Sequence, residues 1–88
     1  KVEAIINHIH QYLTANNTNY IKNATLVAIL KENKFPKIEK NLGKFRNKAV
    51  EEYVNYFGTK LYLDKINKEL KEELNISEAV KGYIYYVK

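Results

Sequence analysis

The stretch YIYYV, residues 83 to 87, does most to narrow what this chain can fold into. Its side chains favour extended backbone, and they alternate. Tyr83, Tyr85 and Val87 fall on one face of such a segment, Ile84 and Tyr86 on the other. Upstream apolar runs have helical spacing instead. The chain is therefore predicted to be mostly α with a small C-terminal β-hairpin, an α+β class. The run ISEAV-KG-YIYYVK reads as two strands, 76–80 and 83–87, around a turn at Lys81-Gly82. A helix continuing through SEAVKGY is the alternative, and the β character of YIYYV favours the hairpin.

Four helices are predicted before it. Residues 2–15 place Val2, Ile5, Ile6, Ile9 and Leu13 on one stripe. NNTN then breaks the helix, because Asn and Thr compete for nearby backbone groups. Tyr20-Ile21 fits a single bridge strand. Asn23 is a candidate cap for a second helix over 24–34, with Leu26, Val27 and Leu30 facing in. Pro36 suits the first turn of a third helix starting near Lys37, which Gly43 would interrupt. Over 44–57 the pattern is strong: Phe45, Ala49, Tyr53 and Phe57 share a side, flanked by Val50 and Val54, and Gly58 suits a C-cap. The tight break at 34–36 gives these two helices helix-turn-helix spacing. A fourth helix over roughly 63–75 would bury Leu63, Ile66, Leu70 and Leu74 and turn Lys65, Lys68, Lys71 and Glu72 outward.

The charge is unevenly placed. The 88 residues carry a net +5. Residues 31–48 hold seven basic groups (Lys31, Lys34, Lys37, Lys40, Lys44, Arg46 and Lys48) against Glu32 and Glu39. That window accounts for the whole excess, since the other seventy residues balance. Lysine outnumbers arginine fourteen to one, the codon bias of an AT-rich genome. Such bias raises lysine everywhere and does not explain the clustering. A local positive field suits phosphate backbones.

Catalytic patterns are missing. His8 and His10 are two apart on a helix and face different ways, so they form no i, i+4 metal pair. Glu51, Glu52, Glu69, Glu72 and Glu73 fall on solvated helix faces beside lysines. With Gly43, Gly58 and Gly82 as the only glycines, no glycine-rich phosphate loop exists. No cysteine is present, which excludes disulfides and thiolate metal sites. No apolar run approaches the 18 or so residues of a membrane span, and there is no signal-peptide pattern. No cofactor and no membrane partner are expected.

Two surfaces are candidates for DNA. Lys37, Lys40, Lys44 and Lys48 would line one side of a continuous helix, with Lys34 and Arg46 nearby. Asn41 and Asn47 have the side chain that reads adenine edges. The outward side of 63–75 offers Lys65, Asn67, Lys68 and Lys71, weakened by Asp64, Glu69, Glu72 and Glu73. The hairpin adds Lys81 at its tip and Lys88 at its end. Its tyrosines are expected to close the core rather than stack on bases.

Three helices followed by KINKELKEELNISEAVKGYIYYVK resemble a winged helix-turn-helix. In particular, AVEEYVNYF…LYLDKINKELKEELNISEAVKGYIYYV is similar to the C-terminal winged-helix domain of replicative helicases and primase-helicases from phages, poxvirus-like viruses and plasmid-like mobile elements. The similar features are an aromatic helix at Tyr53 and Tyr56, a recognition helix over Lys65 to Leu74, and a hairpin closing on Gly82-Tyr83. They cover the second half of the chain. The family usually has more arginine and glycine in its wing, where this chain has one lysine at the tip. The strongest basic cluster also lies upstream of the similar region.

The resemblance implies a single winged-helix domain over residues 1–88, excised from a larger intracellular protein. That domain would dock on duplex DNA without being an enzyme itself. Helicase or primase chemistry would reside elsewhere in the same chain, whose domains are possible partners. A winged-helix protein-interaction module and a transcriptional regulator domain are the alternatives.

Overall fold

In the computed structural model, which describes residues 2–34 and 40–88, four helices pack with a three-stranded antiparallel sheet. In chain order these are α1 (Val2–Ala15), β1 (Tyr20–Lys22), α2 (Asn23–Glu32), α3 (Leu42–Phe57), β2 (Tyr62–Lys65), α4 (Lys68–Glu73) and β3 (Tyr83–Tyr86). The expected helix start near Lys37 and the role of Pro36 lie outside the described residues. The α+β class holds.

The α1 stripe works as read, and Ile5, Ile6, Ile9 and Leu13 are buried. The helix stops because Asn17 turns left-handed at φ 48°. Thr18 N then reaches Leu13 O, and Asn17 N reaches Thr14 O, the paired closing bonds of a left-handed C-cap. Asn75 repeats the device after α4, with Ile76 N bonded to Lys71 O. Gly58 caps α3 at φ 69°, as expected.

β3 is the central strand, in the order β1-β3-β2. Tyr85 lies between Ile21 and Leu63 on one face, and Tyr86 between Tyr20 and Tyr62 on the other. The first face meets α1, α2 and α3 in the main core with Ile9, Leu26, Leu30, Ala49 and Tyr53. The second face carries a smaller core of Leu70, Leu74, Ile76, Ile84 and Tyr86. The alternation predicted for YIYYV is thus observed, but both faces are covered, so Ile84, Tyr85 and Tyr86 are all buried.

Several expectations change. The fourth helix begins at Lys68, not 63, and ends at Glu73. Leu63 fits a helical stripe, but Tyr62–Lys65 gains a full ladder against β3 by extending. Asn67 then caps α4, its Oδ1 accepting from Leu70 N at 2.7 Å. Residues 76–80 form no strand. Ile76 and Val80 pack onto the outer face of the sheet instead, and β3 finds its partners in β1 and β2. The bridge strand at Tyr20-Ile21 is real and extends to Lys22. Gly43 does not interrupt α3. Asn23 is the first residue of α2 rather than its cap, and its side chain is used elsewhere.

Candidate nucleic-acid interface

The α3 helix is pinned to α1 from one side. Ala49 and Tyr53 are buried, and the His10 ring stacks on Phe57 at 4.0 Å and 7°. His10 Nδ1 lies 3.1 Å from the Tyr53 hydroxyl. This is a packing role for His10. Among the described residues no group of three or more His, Cys, Asp or Glu side chains gathers to hold a metal.

The opposite side of α3 is exposed, and its first half is basic. Lys40, Asn41, Lys44, Asn47 and Lys48 all face solvent. Lys40 lies before α3, whose N-cap is Asn41, so of the lysines expected to line one continuous helix only Lys44 and Lys48 share α3, at a four-residue step. Lys37 lies outside the described residues. The N-terminal end of a sixteen-residue helix adds a partial positive charge to this region. Lys48 is the exception in its setting. It borders a groove between α1 and α3 with Glu3, Glu52 and Tyr56, where the carboxylates offset its charge. The Tyr56 hydroxyl donates to Glu3 Oε1 at 2.6 Å across that groove.

Arg46 sits beside the lysines but points inward. Its guanidinium carbon lies 5.3 Å from the centre of the Tyr83 ring, and its Nη2 donates to Asn23 Oδ1 at 3.4 Å. The Tyr85 hydroxyl donates to the same Asn23 oxygen, also at 3.4 Å. Arg46 Nε is buried without a hydrogen-bond partner, so the side chain is held mainly by the ring and by Asn23. Burial pushes the Tyr85 phenol up, and the neighbouring Arg46 cation opposes that shift. The arrangement ties α2, α3 and β3 together at one corner.

That corner continues onto the sheet. Lys65 pairs with Tyr83 across β2 and β3. By alternation both follow Leu63 and Tyr85 onto the helix-bearing face. Lys65 and Lys81 are exposed, and Tyr83 is 43% exposed. Lys44, Arg46 and Asn47 on α3, Lys40 just before it, and Tyr83 and Lys65 at the adjoining end of the sheet therefore form one group.

The remaining predicted residues are not part of this group. Lys34 is exposed at the end of α2, in a left-handed turn at φ 60°. Lys68 and Lys71 belong to α4, on the other face of the sheet, where they line a shallow groove with Glu72, Asn75 and Ser77. Asn67 spends its side-chain oxygen on capping α4. Lys88 lies over the Tyr62 ring at 5.0 Å and 3.7 Å from Glu73 Oε1.

Three participants were not singled out in the sequence. Asn23 looked like a helix cap, and nothing local announces its long-range partners. Tyr83 was counted among core tyrosines. Its place at the end of YIYY, beside glycine, was the available signal. Glu78 accepts from the Tyr20 hydroxyl at 2.8 Å and from Lys22 Nζ at 2.6 Å, which straps residues 76–82 to β1. Its position in an expected strand hid that role.

Compared with protein-family models, with curated proteins and with solved structures, the chain matches none.

Proposed function

We propose that the chain is a winged helix-turn-helix module that docks on duplex DNA. The observation that carries this reading is the exposed basic half of α3 beside a sheet ordered β1-β3-β2. The element order helix, strand, helix, helix, strand, helix, strand is that of a winged helix with one short helix, α4, inserted between its last two strands; α3 is the helix offered to the major groove, and residues 66–82, which include α4, stand where the wing would be. Lys40, Lys44, Lys65 and Lys81 would neutralise phosphates, while Asn41 and Asn47 lie where base edges would pass. The assignment moves the recognition role from residues 65–74, where the resemblance put it, to α3. The resemblance to replicative helicases and primase-helicases supports a role as an appended domain, with catalysis elsewhere in the parent chain.

A second reading, docking of a partner protein, is favoured by the other end of α3. Val54 and Tyr56 are 42% and 54% exposed there, next to the α1–α3 groove. Fluorescence anisotropy with a labelled random duplex, titrated at several salt concentrations, separates the two. Salt-sensitive binding that Lys40→Glu/Lys44→Glu abolishes supports the DNA reading. Absence of binding at low salt overturns it and favours the partner protein.

A further inference from the structure

We infer that Tyr83 is a stacking platform for an unpaired base, so that the preferred ligand is DNA in which a duplex meets a single strand. This rests on the DNA reading above and specifies its ligand. Tyr83 is the one residue of β3 that is not buried. β1 pairs only as far as Ile84, so Tyr83 lies beyond the edge of the third strand and has just Lys65 beside it. Four other tyrosines engage the protein through their hydroxyls, Tyr20 with Glu78, Tyr86 with Asp64, Tyr85 with Asn23 and Tyr56 with Glu3, and the Tyr62 ring is already covered by Tyr86, Lys60 and Lys88. Tyr83 engages it through its ring face, under the Arg46 guanidinium.

A cation over one side of an aromatic ring fixes the ring's orientation and leaves its outer portion available. An aromatic surface flanked by lysines is the element that single-strand binding proteins use to hold bases. A base inside a duplex cannot use it, because grooves display base edges while the faces are stacked on their neighbours. Away from a duplex end, only an unpaired base can present its face. Lys44, on the exposed side of the same helix as Arg46, and Lys40, exposed just before that helix, would hold the duplex side of such a junction.

The test compares three labelled ligands by anisotropy at fixed salt: a blunt duplex, the same duplex with a single-stranded tail, and that tailed duplex with 2-aminopurine as the first unpaired base. Tighter binding of the tailed ligand, with quenching of 2-aminopurine, is expected. Tyr83→Leu should remove the quenching and cost roughly five- to hundredfold in affinity for the tailed duplex, so that the preference for the tailed over the blunt duplex is lost. Tyr83→Phe should retain both signals, because the ring remains. Equal affinity for blunt and tailed duplexes, or quenching that survives Tyr83→Leu, overturns the inference while the DNA reading stands. Failure to bind any of the three overturns both.

Discussion

Lys22 at the end of β1 and Glu78, fifty-six residues later, meet at 2.6 Å between Nζ and Oε1. The Tyr20 hydroxyl donates to the other carboxylate oxygen at 2.8 Å. One acidic side chain thus fastens the segment after α4 to the far strand of the sheet. These hydrogen bonds hold the Glu78 carboxyl below its ordinary 4.5. The unfolded chain takes up that proton first as pH falls, so the strap's contribution is present above about pH 4.5 and disappears below it. Glu78→Gln should flatten this acid limb of stability, measured by urea midpoints between pH 3 and 6. A limb unchanged by the substitution would remove Glu78 as its cause.

Alkaline pH has the opposite sign. Burial, with Glu78 as hydrogen-bond acceptor, raises the Tyr20 phenol from 10.0 to about 12, and Tyr86 is pushed higher still by burial and Asp64. The unfolded phenols ionise first as pH rises. Their contribution is complete below about pH 10 and is lost through pH 12 and beyond. Absorbance at 295 nm should show Tyr20 and Tyr86 titrating late and together with unfolding. Tyr86→Phe, which removes the 2.6 Å bond to Asp64, should cost about 1 kcal/mol at pH 7.

The left-handed turn at Lys34 carries a side chain in a conformation that glycine adopts freely. Lys34→Gly should raise stability by about 0.5–1 kcal/mol. A urea denaturation curve decides it, and a loss of stability would mean that Lys34 makes contacts that outweigh the strain.

The two cores should respond differently to truncation. Leu74→Ala empties part of the outer core and should cost about 2–4 kcal/mol. Hydrogen exchange should then quicken first in α4 and residues 76–80, before α1. Uniform quickening across the chain would mean that the two cores form one cooperative unit.

On the DNA reading, Lys44 and Arg46 should separate in a salt titration. Lys44→Gln should lower the slope of log K against log salt by about 0.9, one phosphate contact. Arg46→Gln should weaken binding without changing the slope, because its guanidinium is turned toward Tyr83 and Asn23. Equal loss of slope in both variants would make Arg46 a phosphate ligand.

Local patterns that coincide with tertiary packing were readable from the sequence alone. The α1 stripe, the 44–57 stripe with Gly58, and the two faces of YIYYV all appear where spacing put them. The failures fall where two periods overlap. Leu63, Ile66, Leu70 and Leu74 satisfy a helix, while Leu61 and Leu63 also satisfy a strand; pairing with β3 decided the matter. For ISEAV, the competing partner was β1, which is distant in sequence, and β2 took the remaining edge. The Lys44–Lys48 step on α3 was legible because it depends on helical periodicity alone, whereas the N-cap at Asn41 that sets Lys40 apart from it was not. The inward turn of Arg46 was not, because Asn23 and Tyr83 lie far away along the chain.

β3 holds the middle of the sheet while coming last among its strands. A nascent chain that has emerged only as far as Gly82 therefore carries β1 and β2 with nothing between them. The main core then lacks Tyr85, and the outer core lacks Ile84 and Tyr86. Helices can form during synthesis, but closure of both cores must await the same four residues. Translation order, and not only equilibrium stability, thus makes YIYY the step on which the fold is completed.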